Sequence, residues 1–344
     1  MDWHPMLSIS MPIVVVQPTH PTIQPVGDTL SSVTAKLLAI VFLLSLPHPA
    51  PGQTDAVQRA RTALAAQRYD DAMSIYESVL GADPTSQAAK SGEIEAASSA
   101  ALAFRNKGQL EEALSYLLRA RKVVVADPRL FFDLGILENQ MRLNHDADEA
   151  LHQSLSLRPD DPLTMYAIAR VKMDLGLYPD AEEAMRAYLR KRPDDASAHY
   201  GLGRILVINL KDDAALDEFQ RSIALKPTQT ESYYEIGEIA LRANDLDTAE
   251  KNYQICLKRD PQHGGALTGM GIVKYRTKQY QQAADYLERA VSFAPEFQTA
   301  HYYDGLTLSK LGRKEEAEAQ LATASKMAAE NSARKGDGLR LAPQ

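Results

Sequence analysis

Residues 196–229 read ASAHYGLGRILVINLKDDAALDEFQRSIALKPTQ, two short amphipathic helical patterns closed by a proline. The first carries Tyr200, Leu202, Gly203 and Leu206. The second carries Ala215, Phe219, Ser222 and Ile223, and Pro227 ends the unit. A step of 34 residues in either direction returns similar residue types. One slot of the first pattern reads Gly135, Ala169, Gly203, Gly237, Gly271, Gly305. A slot in the second pattern is alanine throughout: Ala113, Ala147, Ala181, Ala215, Ala249, Ala283, Ala317. The closing slot reads Pro159, Pro193, Pro227, Pro261, Pro295. So strict a period decides the architecture before any single residue is weighed.

The spacing has a physical cause. Two helices folded back on one another approach closely only where side chains are small, so Gly203 and Ala215 mark the crossing, with Leu202 and Phe219 filling the space beside it. Proline after the second helix blocks its continuation. A lone hairpin cannot cover its own apolar face, but stacked hairpins can. In its aromatic-then-Leu-Gly, Ala, aromatic and Pro positions the chain resembles the tetratricopeptide repeat. That resemblance implies an all-α solenoid, a right-handed superhelix of about eight hairpins. It also implies that first helices line a concave side where ligands bind.

The array is expected over 53–331, as units 53–86, 94–127, 128–161, 162–195, 196–229, 230–263, 264–297 and 298–331, followed by a polar tail at 332–344. The second unit is irregular. Ala113 follows Ala72 by 41 residues, so seven extra residues lie near Gln87 to Glu93. Seven residues make about two helical turns, so they can lengthen the first helix without much rotating its apolar face. Val125 stands where the closing proline would be, and a different lean is expected at that junction.

Residues 1–32 are rich in proline and lack helical or strand periodicity, and are read as a disordered extension or one outside the true product. Lys36, the apolar run Leu37 to Leu46, and the small residues Ala50-Pro51-Gly52 then fit a cleavable export signal over 33–52. The translated start is expected near Leu30 or Val33. The run is short for a hydrocarbon core of about 30 Å, so export to a periplasmic or extracellular space is expected, with an uncleaved membrane tether as the alternative.

The chain has 344 residues and a net charge of −7. Its charges are interspersed, without the basic stripe that nucleic acid requires. Cys256 is the only cysteine; it has no disulfide partner and falls in a small-residue packing slot. Glu111-Glu112, Glu182-Glu183 and Glu315-Glu316 fall near starts of second helices, where the helix dipole favours negative charge. Asp160-Asp161 and Asp194-Asp195 are placed to cap first helices. His145 and His152 would stand about 10 Å apart along one helix, too far to share a zinc. His199 and His301 read as half-buried packing residues. No nucleophile elbow, zinc-protease helix or phosphate loop is present, so no catalytic residue, metal or cofactor is expected.

The remaining candidate is the face implied by the resemblance. One first-helix slot reads Phe132, Tyr166, Tyr200, Tyr234, Thr268, Tyr302; four residues on come Arg170, Arg204 and Glu238, and one further turn brings Arg242 and Arg276. These spacings share one helical face. Tyrosines bordered by arginines suit an extended peptide, although the tyrosines can equally pack between neighbouring first helices. The basic clamp with which some family members hold a chaperone's acidic terminus is not reproduced. The expected function is a non-enzymatic scaffold for a protein or peptide partner. Alternatives are a groove for polysaccharide or a secretion substrate, or a regulatory subunit of an envelope peptidase or glycosyltransferase. No nucleic acid is expected, and membrane contact only through the signal segment.

Overall fold

The computed structural model describes residues 51–340, with side chains over 52–332. The extension at 1–32, nearly all of the export segment and residues 341–344 lie outside the described residues. The chain divides into two units at Thr54/Asp55, and the hairpins below belong to the second. Sixteen helices occur among the described residues, and no strand: α1 (Pro51–Ala65), α2 (Tyr69–Ala82), α3 (Gln87–Asn106), α4 (Leu110–Val123), α5 (Pro128–Gln140), α6 (Asn144–Leu157), α7 (Pro162–Asp174), α8 (Tyr178–Lys191), α9 (Ala196–Ile208), α10 (Asp212–Leu225), α11 (Thr230–Arg242), α12 (Leu246–Arg259), α13 (Gly264–Arg276), α14 (Tyr280–Phe293), α15 (Gln298–Lys310) and α16 (Lys314–Arg340).

From α3 on, each odd-numbered helix packs on the even-numbered helix that follows it, and from α2 each even-numbered helix packs on the next odd-numbered one. First helices also touch first helices: α3 meets α5, α5 meets α7, α9 meets α11, and α13 meets both α11 and α15. This is an α-solenoid of hairpins.

The repeated small residues are the contact points. Every residue of the alanine slot is 3 % exposed or less. A Cβ added to Gly203 would lie 2.5 Å from the Phe219 ring, and one on Gly135 would meet both the Leu151 side chain and the Ala147 carbonyl. The residue 16 positions after the glycine therefore seats directly on its bare Cα. Ala215→Phe has no space to enter and is expected to lower stability by about 1–3 kcal/mol; an unchanged thermal melt would contradict this packing.

Helix ends follow local chemistry. α6, α8, α10, α12 and α14 each stop two residues before the closing proline. The residue between is forced out of the helical region, as Arg158 at φ −138°, ψ 80°. α4 also stops after 14 residues, with Val124 extended, although Val125 replaces the proline and is 75 % exposed. Of each Asp pair the second member caps: Asp161 accepts from the Thr164 N–H, and Asp195 from Ser197 and Ala198.

One regular feature escaped the sequence reading. Gly108, Arg142, Gly176, Leu210, Asn244, Lys278 and Gly312, with Gln67 before them, all adopt positive φ in the turn inside each hairpin. The reversal places the next amide over an open carbonyl, as Lys211 N–H to Leu206 O at 2.9 Å. Glycine suits this slot, yet five copies do without it.

One helix takes up the inserted residues as the spacing allows, and the last helix runs on past the array. α3 has 20 residues where α5 has 13, so the seven extra residues are continuous with that helix. α16 runs on to Arg340, through most of the segment read as a polar tail. No helix of the described residues is long and apolar enough to cross a membrane.

Candidate functional site

The tyrosines of the first-helix slot are held by the second helices. Tyr166 lies edge-on to Tyr188 at 5.2 Å between ring centroids, and Tyr200 packs at 5.9 Å on Phe219. Tyr234 packs at 6.2 Å on Tyr253 and 5.0 Å from His263 of the following unit, its ring also lying against Gly265. Tyr200 is 7 % exposed, and burial pushes its hydroxyl up to about 12. Burial raises Tyr166 and Tyr234 as well. Thr268 is buried, and its hydroxyl turns back to the Gly264 carbonyl. Tyr302 is 46 % exposed, edge-on to Tyr303. At three central positions, then, the ring fills a junction within or between hairpins.

The charged residues beside them reach across unit boundaries. Arg204 of α9 pairs with Glu235 of α11 at 3.4 Å. Arg242 of α11 donates to both oxygens of Asp212 at 3.1 Å, and Arg276 of α13 donates to the Leu241 carbonyl at 2.8 Å. Glu238 accepts from the Tyr253 hydroxyl at 2.6 Å. Burial raises both Glu235 and Glu238, although the Tyr253 hydroxyl and the Arg242 charge pull Glu238 back. Arg170 is half-buried near the Tyr166 hydroxyl; Arg242 and Arg276 are exposed. The structure thus gathers Tyr200, Arg204, Tyr234, Glu238 and Arg242 around one junction, between α9/α10 and α11/α12. Arg170, Arg276 and Tyr302 belong to neighbouring units.

Glu235 and Tyr253 belong to this cluster and were missed. A carboxylate at the Glu235 slot, which Asp133 shares but where Ala167, Gly201 and Gly269 stand in other units, is the signal that could have drawn attention. Glu182 is likewise no solvated surface carboxylate. It is 9 % exposed and accepts from Asn209 and Lys211 at 2.9 Å. Burial alone would raise it, but hydrogen bonds from Lys211, Asn209 and Arg186 hold it below the usual range. His199 and His301 are buried rather than half-buried, at 6 % exposure each. Each donates Nε2–H to the preceding closing-proline carbonyl at 2.9 Å, while Nδ1 meets Glu218 in one case and Gln320 in the other. Cys256 is fully buried in its packing slot, and burial pushes its thiol up to about 12. Among the described residues no group of three or more His, Cys, Asp or Glu is placed to hold a metal.

This stacking of hairpins agrees with the comparisons to known proteins. Residues 179–300 match the family model described as the cytochrome c-type biogenesis protein H TPR domain, and 144–205 and 268–333 match tetratricopeptide repeat models. No curated protein matches the chain in sequence. Among solved structures it is similar to a tetratricopeptide repeat protein from Parabacteroides merdae, at 16 % identity and TM-score 0.57, covering 68 % of this chain and 93 % of that one. It is similar to Pseudomonas aeruginosa pilF at 15 % identity and TM-score 0.53, covering 61 % and 96 %. The Cut9–Hcn1 structure of APC/C matches at 16 % identity and TM-score 0.52, covering 85 % and 56 %. At such identities the likeness speaks to the fold alone, and together with the three family matches and the observed stack of hairpins it makes this chain a member of the tetratricopeptide-repeat family.

Proposed function

We propose that the protein is a non-enzymatic adaptor, exported from the cytoplasm, that holds an extended segment of a partner protein along the first-helix face from α7 to α15. The observation that carries this reading is a division of labour on that face. Tyr200 and Tyr234 are committed to packing, while Arg170, Arg242, Arg276 and Tyr302 keep charged or aromatic surface toward solvent. Guanidinium groups at unit spacing can meet main-chain carbonyls or carboxylates of an extended chain, and an exposed tyrosine adds area at low entropic cost. The match of 179–300 to a repeat domain from a cytochrome c biogenesis protein favours a partner that is itself undergoing maturation or assembly. Export rests on the residues of the 33–52 segment.

The test uses half-buried Arg170 with exposed Arg242 and Tyr302, because Tyr200→Ala would damage the packing on Phe219. Crosslinked pull-downs from the native envelope would compare wild type with the triple variant Arg170→Glu, Arg242→Glu, Tyr302→Ala, after circular dichroism has shown the variant folded. Loss of the main crosslinked partners is expected. An unchanged partner set would refute the face, and recovery of the protein only from the cytoplasm would refute export.

A further inference from the structure

The opposite side of the same units carries a second feature that the first-helix face does not use. Between α8 and α10, with α9 as its floor, lies a cleft of about 590 Å³. Leu189, Leu202 and Leu225 supply apolar walls, and Arg186, Arg190 and Arg221 stand around the mouth. Leu202 is 1 % exposed at the bottom, whereas Leu225 is 42 % exposed at the edge. None of the tyrosines or arginines of the first-helix face lines it.

Its charge runs against the chain as a whole. The protein carries −7, yet three guanidinium groups here face one lining carboxylate, Glu218. That carboxylate is buried and already engaged, by His199 at 2.5 Å and Arg221 at 3.3 Å. Arg186 pairs with Glu182 at 3.2 Å, a part-buried contact whose arginine stays largely exposed while the carboxylate does not. Arg190 has no carboxylate partner among the described residues. The cleft therefore offers an apolar slot beneath three guanidinium groups, of which Arg190 is without a carboxylate partner among the described residues.

We propose that this cleft is a second docking site, which takes a short acidic peptide segment bearing one bulky apolar side chain. The apolar group enters between Leu189, Leu202 and Leu225, and removing its surface from water drives binding. Flanking carboxylates meet Arg186, Arg190 and Arg221 as charge-assisted hydrogen bonds and set the preference for acidic sequences. An anionic bilayer fits less well, since its flat surface cannot reach a floor recessed below the arginines. The adaptor thereby has two faces, one on the first helices and one on the second.

The probe is a short fluorescent peptide with one central phenylalanine flanked by glutamates, compared by anisotropy at physiological salt with a twin carrying lysines instead. The acidic peptide is expected to bind about tenfold or more tightly than the lysine twin. That preference should vanish in Arg190→Glu, Arg221→Glu and persist in Arg242→Glu, with circular dichroism showing both variants folded. Equal binding of the two peptides, or an unchanged preference in Arg190→Glu, Arg221→Glu, overturns the proposal. So does loss of binding in Arg242→Glu alone, which would move the peptide to the first-helix face. Phosphatidylglycerol vesicles binding wild type but not Arg190→Glu, Arg221→Glu, with no peptide preference, would assign the cleft to a lipid surface instead.

Discussion

Tyr253→Ala is expected to destabilise the C-terminal hairpins by about 3–5 kcal/mol. Tyr253 is fully buried on α12. Its ring occupies space that only glycine leaves open on two successive first helices: a Cβ on Gly237 would lie 2.7 Å from the ring, and one on Gly269 would clash with it as well. Tyr234 packs on the same ring, and the hydroxyl donates to Glu238 at 2.6 Å. Truncation would open a cavity facing two hairpins and take the Tyr253 donor from a half-buried carboxylate. Tyr253→Phe isolates the second effect and should lower stability by about 1–2 kcal/mol. In a linear array each unit is stabilised chiefly by its neighbours, so the loss should also split unfolding in two. Urea titration followed by circular dichroism should show residues beyond α12 melting first while α1–α10 persist. A single transition at the wild-type midpoint would exclude this junction as a keystone.

The second large effect is a stability that declines as pH rises. Glu93 on α3 is fully buried, and neither carboxylate oxygen has a hydrogen-bond partner among the described residues. Burial, reinforced by the charge of Glu77 on α2 and only partly offset by Arg119 on α4, raises it from 4.5 to about 8. The Tyr76 hydroxyl is likewise buried, and burial raises it, with the neighbouring Arg61 guanidinium pulling it back. A carboxyl raised on folding is neutral in the folded chain and ionised in the unfolded chain between these two values. Its contribution is therefore fully present below about 4.5, falls through neutrality, and is lost above about 8. Glu138 and Asp304, both buried and both raised by burial to about 6, add to the early part of the same slope.

Glu93→Gln keeps the shape and removes the ionisation. It should stabilise the protein by about 2–4 kcal/mol at pH 9 and change little at pH 4.5. Denaturant midpoints for wild type and Glu93→Gln across pH 4.5–9 decide the matter: parallel curves would contradict it, and converging curves toward acid would support it. The contribution concentrates in α2–α4, so an early transition there should be the one that moves.

Much of the fold was legible because a hairpin array is held by contacts that recur at one spacing. Gly203 and Ala215 announced a close crossing, and the Gly203 Cα does lie under Phe219. The left-handed turn slot could also have been found, since Gly108, Gly176 and Gly312 fall in register. Leu210 and Lys278 hid it by adopting positive φ without being glycine. The candidate face was legible only as a set of slots. The period says that Tyr166, Tyr200 and Tyr234 share a position; it does not say which neighbour receives each ring. Likewise it could not foresee that Arg204 would find Glu235, or that Arg276 would reach the Leu241 carbonyl.

By itself the sequence determined the hairpin, its length of 34 residues, the small residues at each crossing and the continuity of the seven-residue extension with α3. Each of these depends on backbone period and side-chain volume, which are local properties of the chain. The tertiary structure alone decided that the tyrosine rings serve packing, that Glu93 is buried without a partner, and that three arginines converge over an apolar cleft between α8 and α10. Those outcomes depend on the direction and reach of side chains that belong to different helices. Such directions are set only when neighbouring hairpins close on one another and exclude water from between them.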